Sequence, residues 1–364
     1  MGEDFFEEPF KQSKVKSQIV AKYFDVWANI IAGHAEQIAY VDLFAGQGYY
    51  EDGTESTPLL ILKKAIENPK IAQKLIIEFN DQNVQYVESL RRAANQLDGI
   101  ANLPKLPKFS SVKISRDIAK QYGETSHPRT LFFLDPWGYK GLSLDLIRVA
   151  VKDWASECLL FFNYKRINMD LHKSSVDQNI NALLGRQRAD KLRVETTAMS
   201  PYKREETILG ELCQALEEMG GKYTLPFCFR DRKRDRTSHY LIHATKHHLG
   251  YGLMKEIMNE YSIHDKDGVP TFIFDPKQQL TLNFGQPLRD LIEQLVEKFK
   301  GQKLKVRDIY EKHQKGTRFV KRNYKDALRE LESEGKIEID LPFEERRIIK
   351  GKVSLGDDRI VKFH

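Results

Sequence analysis

Ile38-Ala39-Tyr40-Val41-Asp42-Leu43-Phe44-Ala45-Gly46-Gln47-Gly48-Tyr49-Tyr50 is the stretch on which the fold turns. An apolar run ends in an acid, and glycines at 46 and 48 follow at once. A buried strand emptying into a loop, where backbone must come close to something, reads this way. Ser56-Thr57-Pro58 then opens an apolar-periodic segment from Leu59 to Ile66. A hydroxyl as N-cap with proline at the first helical position starts a helix. Strand, glycine turn and helix make the first unit of a doubly wound α/β fold, whose ligand lies off the carboxyl ends of the strands.

The residues of the turn narrow the ligand. A dinucleotide fingerprint needs a third glycine to bring the helix close, and this chain has Tyr50-Glu51 there. The Gly-Lys-Ser/Thr of a phosphate loop is absent as well. Asp42-x-Phe44-x-Gly46-x-Gly48 instead resembles motif I of S-adenosylmethionine-dependent methyltransferases. The resemblance implies S-adenosylmethionine as cofactor, with Phe44, Gly46 and Gly48 in the loop that packs on it and Asp42 placing its amino-acid moiety.

Working outward, 364 residues give a prior of two domains. With 41% hydrophobic and 30% charged residues the chain has ample core for a globular protein. It contains no run of about 18 apolar residues, so nothing in it is expected to span a membrane. The opening Met1-Gly2-Glu3-Asp4-Phe5 is acidic and carries no apolar signal region. Cys158, Cys213 and Cys228 lack any C-x-x-C spacing and read as reduced core residues of a cytoplasmic protein. The net charge of +6 is concentrated: Pro287 to His364 holds 20 Lys/Arg against 15 Asp/Glu, which leaves about +1 for everything before it.

In chain order, residues 1–12 read as a loose leader. An amphipathic helix follows from Ser13 to about Gly33, with Val15, Ile19, Val20, Tyr23, Phe24, Trp27, Ile30 and Ile31 at helical spacing. Strands are expected at 38–43, 74–79, 112–114, 130–134 and 157–163, alternating with helices at 57–67, 84–94 and 142–151. That alternation demands parallel crossovers. Residues 164–200 read as irregular, with one short helix near 176–184. A helix from Glu205 to Met219 stops at Gly220-Gly221. Two antiparallel strands, 223–229 and 239–245, flank the charged connector 231–236, and a helix from 249 to 261 closes the sheet. After a linker come three helical patterns, about 287–300, 303–313 and 318–334, and strands at 336–340 and 359–363. Three helices with a two-stranded wing make a winged helix-turn-helix.

Several acids fall where chemistry could occur. Glu78, near the end of the second strand, has two oxygens to receive a ribose diol. Asn80 and Asp81 compete for that role, with Asp81 read as a helix N-cap. Asp117, after the third strand, stands where such sites contact the adenine amine. Asp135-Pro136-Trp137-Gly138-Tyr139 closes the fourth strand. Methyltransferases of exocyclic amines carry (Asp/Asn)-Pro-Pro-aromatic there, the acid accepting the N–H and the aromatic stacking on the base. This chain lacks the second proline, so a strand-end turn with a core tryptophan is the alternative. His239 and His243 share one strand face, but no cysteine or acid completes a metal shell at a known spacing, so no metal is expected. In the tail, Arg318, Lys321, Arg322 and Lys325 follow i, i+3, i+4, i+7 at the start of the third helix. There a helix-turn-helix meets nucleic acid.

The ordered series Asp-Leu-Phe-Ala-Gly-x-Gly-x-Tyr (42–50), Thr-Pro-Leu (57–59), Asp-Pro-Trp-Gly-Tyr-x-Gly-Leu (135–142), Phe-Phe-Asn-Tyr-x-x-Ile-Asn (161–168) and His-Tyr-Leu-Ile-His-Ala-Thr (239–245) spans most of the chain. Together the pieces resemble the three-Cys-motif partner (TcmP) family, which is similar to Rossmann-fold methyltransferases and carries a C-terminal winged helix. The resemblance implies Asp42, Gly46, Gly48, Asp135, Pro136, Gly138 and Asn168 as pattern positions, and a partner protein with a three-cysteine motif resembling radical-SAM enzymes. The expected domains are 1–36 (leader and packing helix), 37–262 (Rossmann-like methyltransferase sheet with helices on both faces), 263–286 (linker) and 287–364 (winged helix). The expected function is S-adenosylmethionine-dependent methyl transfer to a nucleic acid, DNA or RNA. The alternative is a non-catalytic Rossmann-like scaffold with a winged-helix interaction module.

Overall fold

The computed structural model of the chain describes residues 4–124, 127–231, 236–275, 287–349 and 351–364; the side chains of residues 4–10, 116, 117, 121 and 349 also lie outside it. The chain forms two units, Met1–Ile257 with Phe274–Lys277, and Met258–Ile273 with Gln278–His364.

The first begins α1 (Asp4–Ala32), β1 (Ile38–Asp42), α2 (Thr57–Glu67), the one-turn α3 (Pro69–Ala72), β2 (Leu75–Asn80) and α4 (Val84–Asn95). It continues β3 (Lys108–Ser110), α5 (Arg116–Glu124), β4 (Arg129–Leu134), α6 (Leu144–Lys152) and β5 (Glu157–Phe162). Then come α7 (Tyr164–Asp170), α8 (Asp177–Leu184), α9 (Arg186–Glu195), α10 (Pro201–Glu218), β6 (Tyr223–Asp231), β7 (Arg236–Thr245) and α11 (His248–Tyr261). A short β8 (Ile273–Phe274) ends the series.

The sheet order is β3-β2-β1-β4-β5-β7-β6-β8. β1 pairs in parallel with both β2 and β4, while β7 runs antiparallel to β5 and β6. This is the mostly parallel sheet, covered by helices on both faces, of Rossmann-like methyltransferases. All five residues of β1 are buried, as the central strand of such a sheet requires. The order reverses between β1 and β4, and a crevice opens at the carboxyl ends of strands that diverge in this way.

Four local expectations change. The helix placed at Ser13 already begins at Asp4. The third strand is 108–110, not 112–114, because the Asn80 side chain takes both backbone groups of Val112: Oδ1 accepts its N–H at 2.9 Å and Nδ2 donates to its carbonyl at 2.9 Å. The stretch 164–200 holds three helices, not one. Asn163 caps α7 through Arg166 N at 2.9 Å, and Gly185 at φ +82° separates α8 from α9. Asn83, not Asp81, caps α4, accepting from Gln85 N at 2.9 Å. Residues 232–235 of the charged connector lie outside the described residues.

The second unit contains α12 (Pro287–Phe299), β9 (Lys303–Lys305), α13 (Val306–His313), α14 (Lys321–Ser333) and β10 (Ile337–Ile339). β11 (Ile348–Ile349), β12 (Lys352–Val353) and β13 (Ile360–Phe363) follow. β10, β13 and β9 form one small sheet, and β11 with β12 the hairpin of the wing. The start of the expected second tail helix is therefore strand β9. Leu291, Leu295, Ile309, Leu328 and Val361 fill the core together with Val269. Val269 draws 258–273 into this unit, so part of the expected linker is core; residues 276–286 lie outside the described residues.

Candidate functional site

The glycine turn after β1 is built by hydrogen bonds from both flanks. Ala45 N donates to Asn80 O at 2.8 Å, and Gly46 N to Asp81 Oδ2 at 3.1 Å, so the end of β2 grips the loop. Ser56 N donates to Gly48 O at 2.8 Å, which ties the loop to the start of α2. The two glycines do different work. Gly48, at φ +96°, lets α4 come close: a Cβ there would stand 3.2 Å from Leu90 Cδ1 and 3.4 Å from Ala93 Cβ. Gly46, at φ +69°, would direct a Cβ into open space.

Asp42 lies beneath this loop, 1% exposed, and accepts from Phe44 N at 3.0 Å. Burial pushes its carboxyl well above the usual range; the Phe44 N–H opposes that, and the charge of Asp135 adds to it. Ser56 is buried beside the loop, and its hydroxyl has no hydrogen-bond partner among the described residues.

Asp135 follows β4 directly. Its loop meets the glycine turn through Phe44, whose ring edge lies 3.2 Å from where a Cβ of Gly141 would be. Pro136 is buried and Trp137 is 100% exposed, which excludes the core tryptophan weighed from the sequence. Tyr139 is anchored by donating to Asp170 Oδ2 at 2.9 Å.

The partner of Asp135 is a residue that sequence reasoning did not single out. Lys16, 119 residues earlier on α1 and 6% exposed, donates from Nζ to Asp135 Oδ2. Burial alone would lower the Lys16 ammonium, but the charge of Asp135, then Tyr50, and the hydrogen bond to Asp135 hold it above the usual lysine range. The same Nζ lies 4.6 Å from the centroid of Phe161 at the end of β5, and His239 stacks on that ring at 4.7 Å with planes 7° apart. Burial, helped by Lys16 and Lys165, pushes His239 down to about 4, so its ring is neutral near pH 7. Next on α1, Ser17 is within 3.0 Å of both Tyr50 Oη and Thr57 Oγ1. One helix thus touches the ends of β4 and β5 and the flank of the glycine turn. The legible signal was a lysine on the apolar stripe of an amphipathic helix, three, four and seven residues before Ile19, Val20 and Tyr23.

Other expected site residues fall elsewhere. Glu78 reaches across to Lys108 Nζ of β3 at 3.0 Å and to Tyr122 Oη of α5 at 3.4 Å. Asp117 lies in the first turn of α5, with its side chain outside the described residues. α14 begins at Lys321 rather than 318, and the four cations at and ahead of its start do not form a free face. Arg318 pairs with Asp265 at 3.7 Å, Arg322 with Asp326 at 3.7 Å, and Lys321 and Lys325 share Asp357 at 3.7 and 2.6 Å. Cys158 and Cys228 are buried, and burial raises both thiols, to about 12 and about 11. Among the described residues no cluster of His, Cys, Asp or Glu could hold a metal ion, and no helix is long and apolar enough to cross a membrane.

The helices and strands of the second unit give the sequence of that region its meaning. Residues 270–342 match the model of the GMT-like wHTH domain. No curated protein matches the chain. Among solved structures, a predicted O-methyltransferase of Agrobacterium tumefaciens is similar at 13% identity, over 57% of this chain and 72% of that one, with a TM-score of 0.31. The methyltransferase domain of bacterial CtHen1-C gives 14%, 64%, 100% and 0.33 for the same quantities. A SAM-dependent methyltransferase of A. tumefaciens gives 9%, 64%, 62% and 0.34. At such scores the fold rests on the sheet order itself.

Proposed function

We propose that the first unit is an S-adenosylmethionine-dependent methyltransferase and that its substrate is a nucleic acid, held in part by the winged-helix unit. The observation that carries this reading is the meeting, through Phe44 and Gly141, of an open glycine turn with a loop bearing an ion-paired acid and a fully exposed tryptophan. The donor, when bound, supplies the methyl group. The residues around the turn fit it. Gly46 leaves room for close approach, and the unpartnered Ser56 hydroxyl at the start of α2 suits the carboxylate of an amino acid. Asp42 suits its ammonium. Of the acids near the turn, Glu78 suits the ribose hydroxyls, since both oxygens of Asp81 are already taken, Oδ2 by Gly46 N and Oδ1 by Asn83 N.

On the acceptor side, Lys16 engages Asp135 Oδ2 and keeps the carboxylate oriented. Oδ1 then receives the N–H of an exocyclic amine, and Trp137 offers the face on which the base stacks. Neutral His239 adds no charge beside Lys16. Titration calorimetry with S-adenosylhomocysteine tests the pocket, and transfer of tritiated methyl groups to mixed DNA and RNA tests the chemistry. Binding to wild type that is lost in Gly46→Val, with methyl incorporation into one of the polymers, is expected. A wild-type protein that does not bind the homocysteine product overturns the reading.

A further inference from the structure

The loop between β12 and β13 carries adjacent acids, Asp357 and Asp358, against the start of both α13 and α14. Its backbone is fixed independently of those carboxylates: Val306 N donates to Arg359 O, and Arg307 N to Asp357 O, both at 2.9 Å. The side chains then serve four cations. Asp358 stands 3.7 Å from Lys305 and 3.7 Å from Arg307. Asp357 bridges Lys325 at 2.6 Å and Lys321 at 3.7 Å, one helical turn apart on α14. The Asp357 carboxylate lines a small hollow floored by Tyr310 and Tyr324 and flanked by Arg307, Lys321 and Lys325. Burial would raise this carboxyl, but the hydrogen bond and charge of Lys325, with Lys321 behind, hold it below the usual range. It is an anion, with two oxygens, set among cations at the first turn of the helix that a winged helix presents to its target.

We propose that this hollow is a phosphate-binding site for a nucleic-acid backbone, and that Asp357 occupies it in the free protein as an internal substitute for the phosphodiester. The inference rests on the nucleic-acid reading above. A phosphodiester carries the same single negative charge and also presents two oxygens, so it replaces Asp357 between Lys321 and Lys325 when the carboxylate swings aside. The internal acid keeps affinity low for stray polyanions, because a phosphate must first break an ion pair to enter. Sequence-independent binding is therefore weak in the wild type, and the substrate must be held at further points elsewhere.

Asp357→Asn separates this site from the bulk effect of charge, with Asp358→Asn as a control of equal charge just outside the hollow. Binding of short labelled duplex DNA and of short labelled RNA is measured by anisotropy over a range of salt, and inorganic phosphate is added as competitor. Neutralising one further phosphate corresponds to about tenfold in affinity near 0.1 M salt and a slope of log K on log salt steeper by about 0.9 on duplex DNA. Asp357→Asn is expected to bind at least one polymer that much more tightly, or more. Asp358→Asn should bind about threefold more tightly at most, and Lys325→Gln added to Asp357→Asn should return binding to the wild-type level. Equal increases in the two asparagine variants overturn the site in favour of net charge alone. Wild-type binding left unchanged by Asp357→Asn overturns the substitution by Asp357 and leaves the nucleic-acid reading standing. Failure of wild type and every variant to bind either polymer overturns both. Inorganic phosphate that binds Asp357→Asn by calorimetry, while no variant binds either polymer, assigns the hollow to a free anion instead and overturns the backbone site.

Discussion

Two carboxylates lie under the same helix, and their surroundings differ. Glu157, at the first residue of β5, is enclosed: Tyr23 of α1 donates to Oε2, His243 Nε2 lies 2.7 Å from the same oxygen, and Thr245 donates to Oε1 at 2.9 Å. The missing side chain of Gly250 makes room for it, since a Cβ there would fall 2.8 Å from Oε1. Asp135, at the other end of the sheet, takes one bond from Lys16 and is 21% exposed in its side chain. The first acid is satisfied on both oxygens and sealed, so it can only hold α1, β5, β7 and α11 together. The second is held by one partner among the described residues and keeps part of its side chain exposed. A buried acid alone marks neither role; the oxygen left over is what supports the chemical role proposed for Asp135.

The largest effect should come from breaking the enclosed acid. Glu157→Ala strands the buried Tyr23, His243 and Thr245 groups, and a loss of about 3–5 kcal/mol in unfolding free energy is expected by denaturant titration. A loss below about 1 kcal/mol would show that the network is not what joins α1 to the sheet.

Asp135→Asn keeps an acceptor for Lys16 but removes the charge that offsets its buried ammonium, so it should cost about 1–3 kcal/mol of stability by denaturant titration, less than Glu157→Ala. It should also reduce methyl transfer about 100-fold, within the usual range for a lost proton acceptor. Alanine is the poorer probe, since it leaves a buried ammonium unpaired and confounds stability with chemistry. Equal losses of stability in Asp135→Asn and Glu157→Ala would erase the distinction between the two acids.

Lys16→Met should lower methyl transfer by about tenfold, less than the loss of Asp135 itself, while affinity for S-adenosylhomocysteine is retained. Lys16→Arg should recover part of the rate. An equal fall in cofactor affinity would move Lys16 from the acceptor side to the donor side of the site.

The smallest effect is a slope with pH at Asp42. Its raised carboxyl means that the folded protein holds a proton there above the usual carboxylate range. Pairing with a ligand ammonium favours the carboxylate, so binding releases that proton, and affinity for S-adenosylhomocysteine should rise as pH climbs above the usual carboxylate range toward the raised titration of Asp42. The same sign makes Asp42 a stabilising group only while protonated, so Asp42→Asn should raise Tm at neutral pH and flatten the binding slope. Calorimetry in two buffers of different ionisation enthalpy measures the proton released.

The glycine turn, the β/α alternation and the winged helix were legible in the sequence because each is set by neighbours within a few residues. Gly46 and Gly48 announce their backbone, Ser56-Thr57-Pro58 starts a helix, and apolar runs of five or six residues bounded by turns become buried strands. The series 42–50 and 135–142 also pointed to the two loops that meet at the carboxyl ends of β1 and β4. The sequence alone therefore determined the layers and the alternation of strands and helices around the central strand.

Partners far apart in the chain belong to the tertiary structure. Lys16 reaches Asp135 across 119 residues, and Asp81 takes Gly46 N across 35, leaving Glu78 to Lys108. The cationic face expected on α14 is answered by Asp357, on a loop that returns only after the wing. Charge and hydrogen bonding act over a few ångströms, and the spacing of residues along a chain carries no such distance until the sheet has brought its ends together. Which acid is sealed, which is open, and which cation is already paired were decided there.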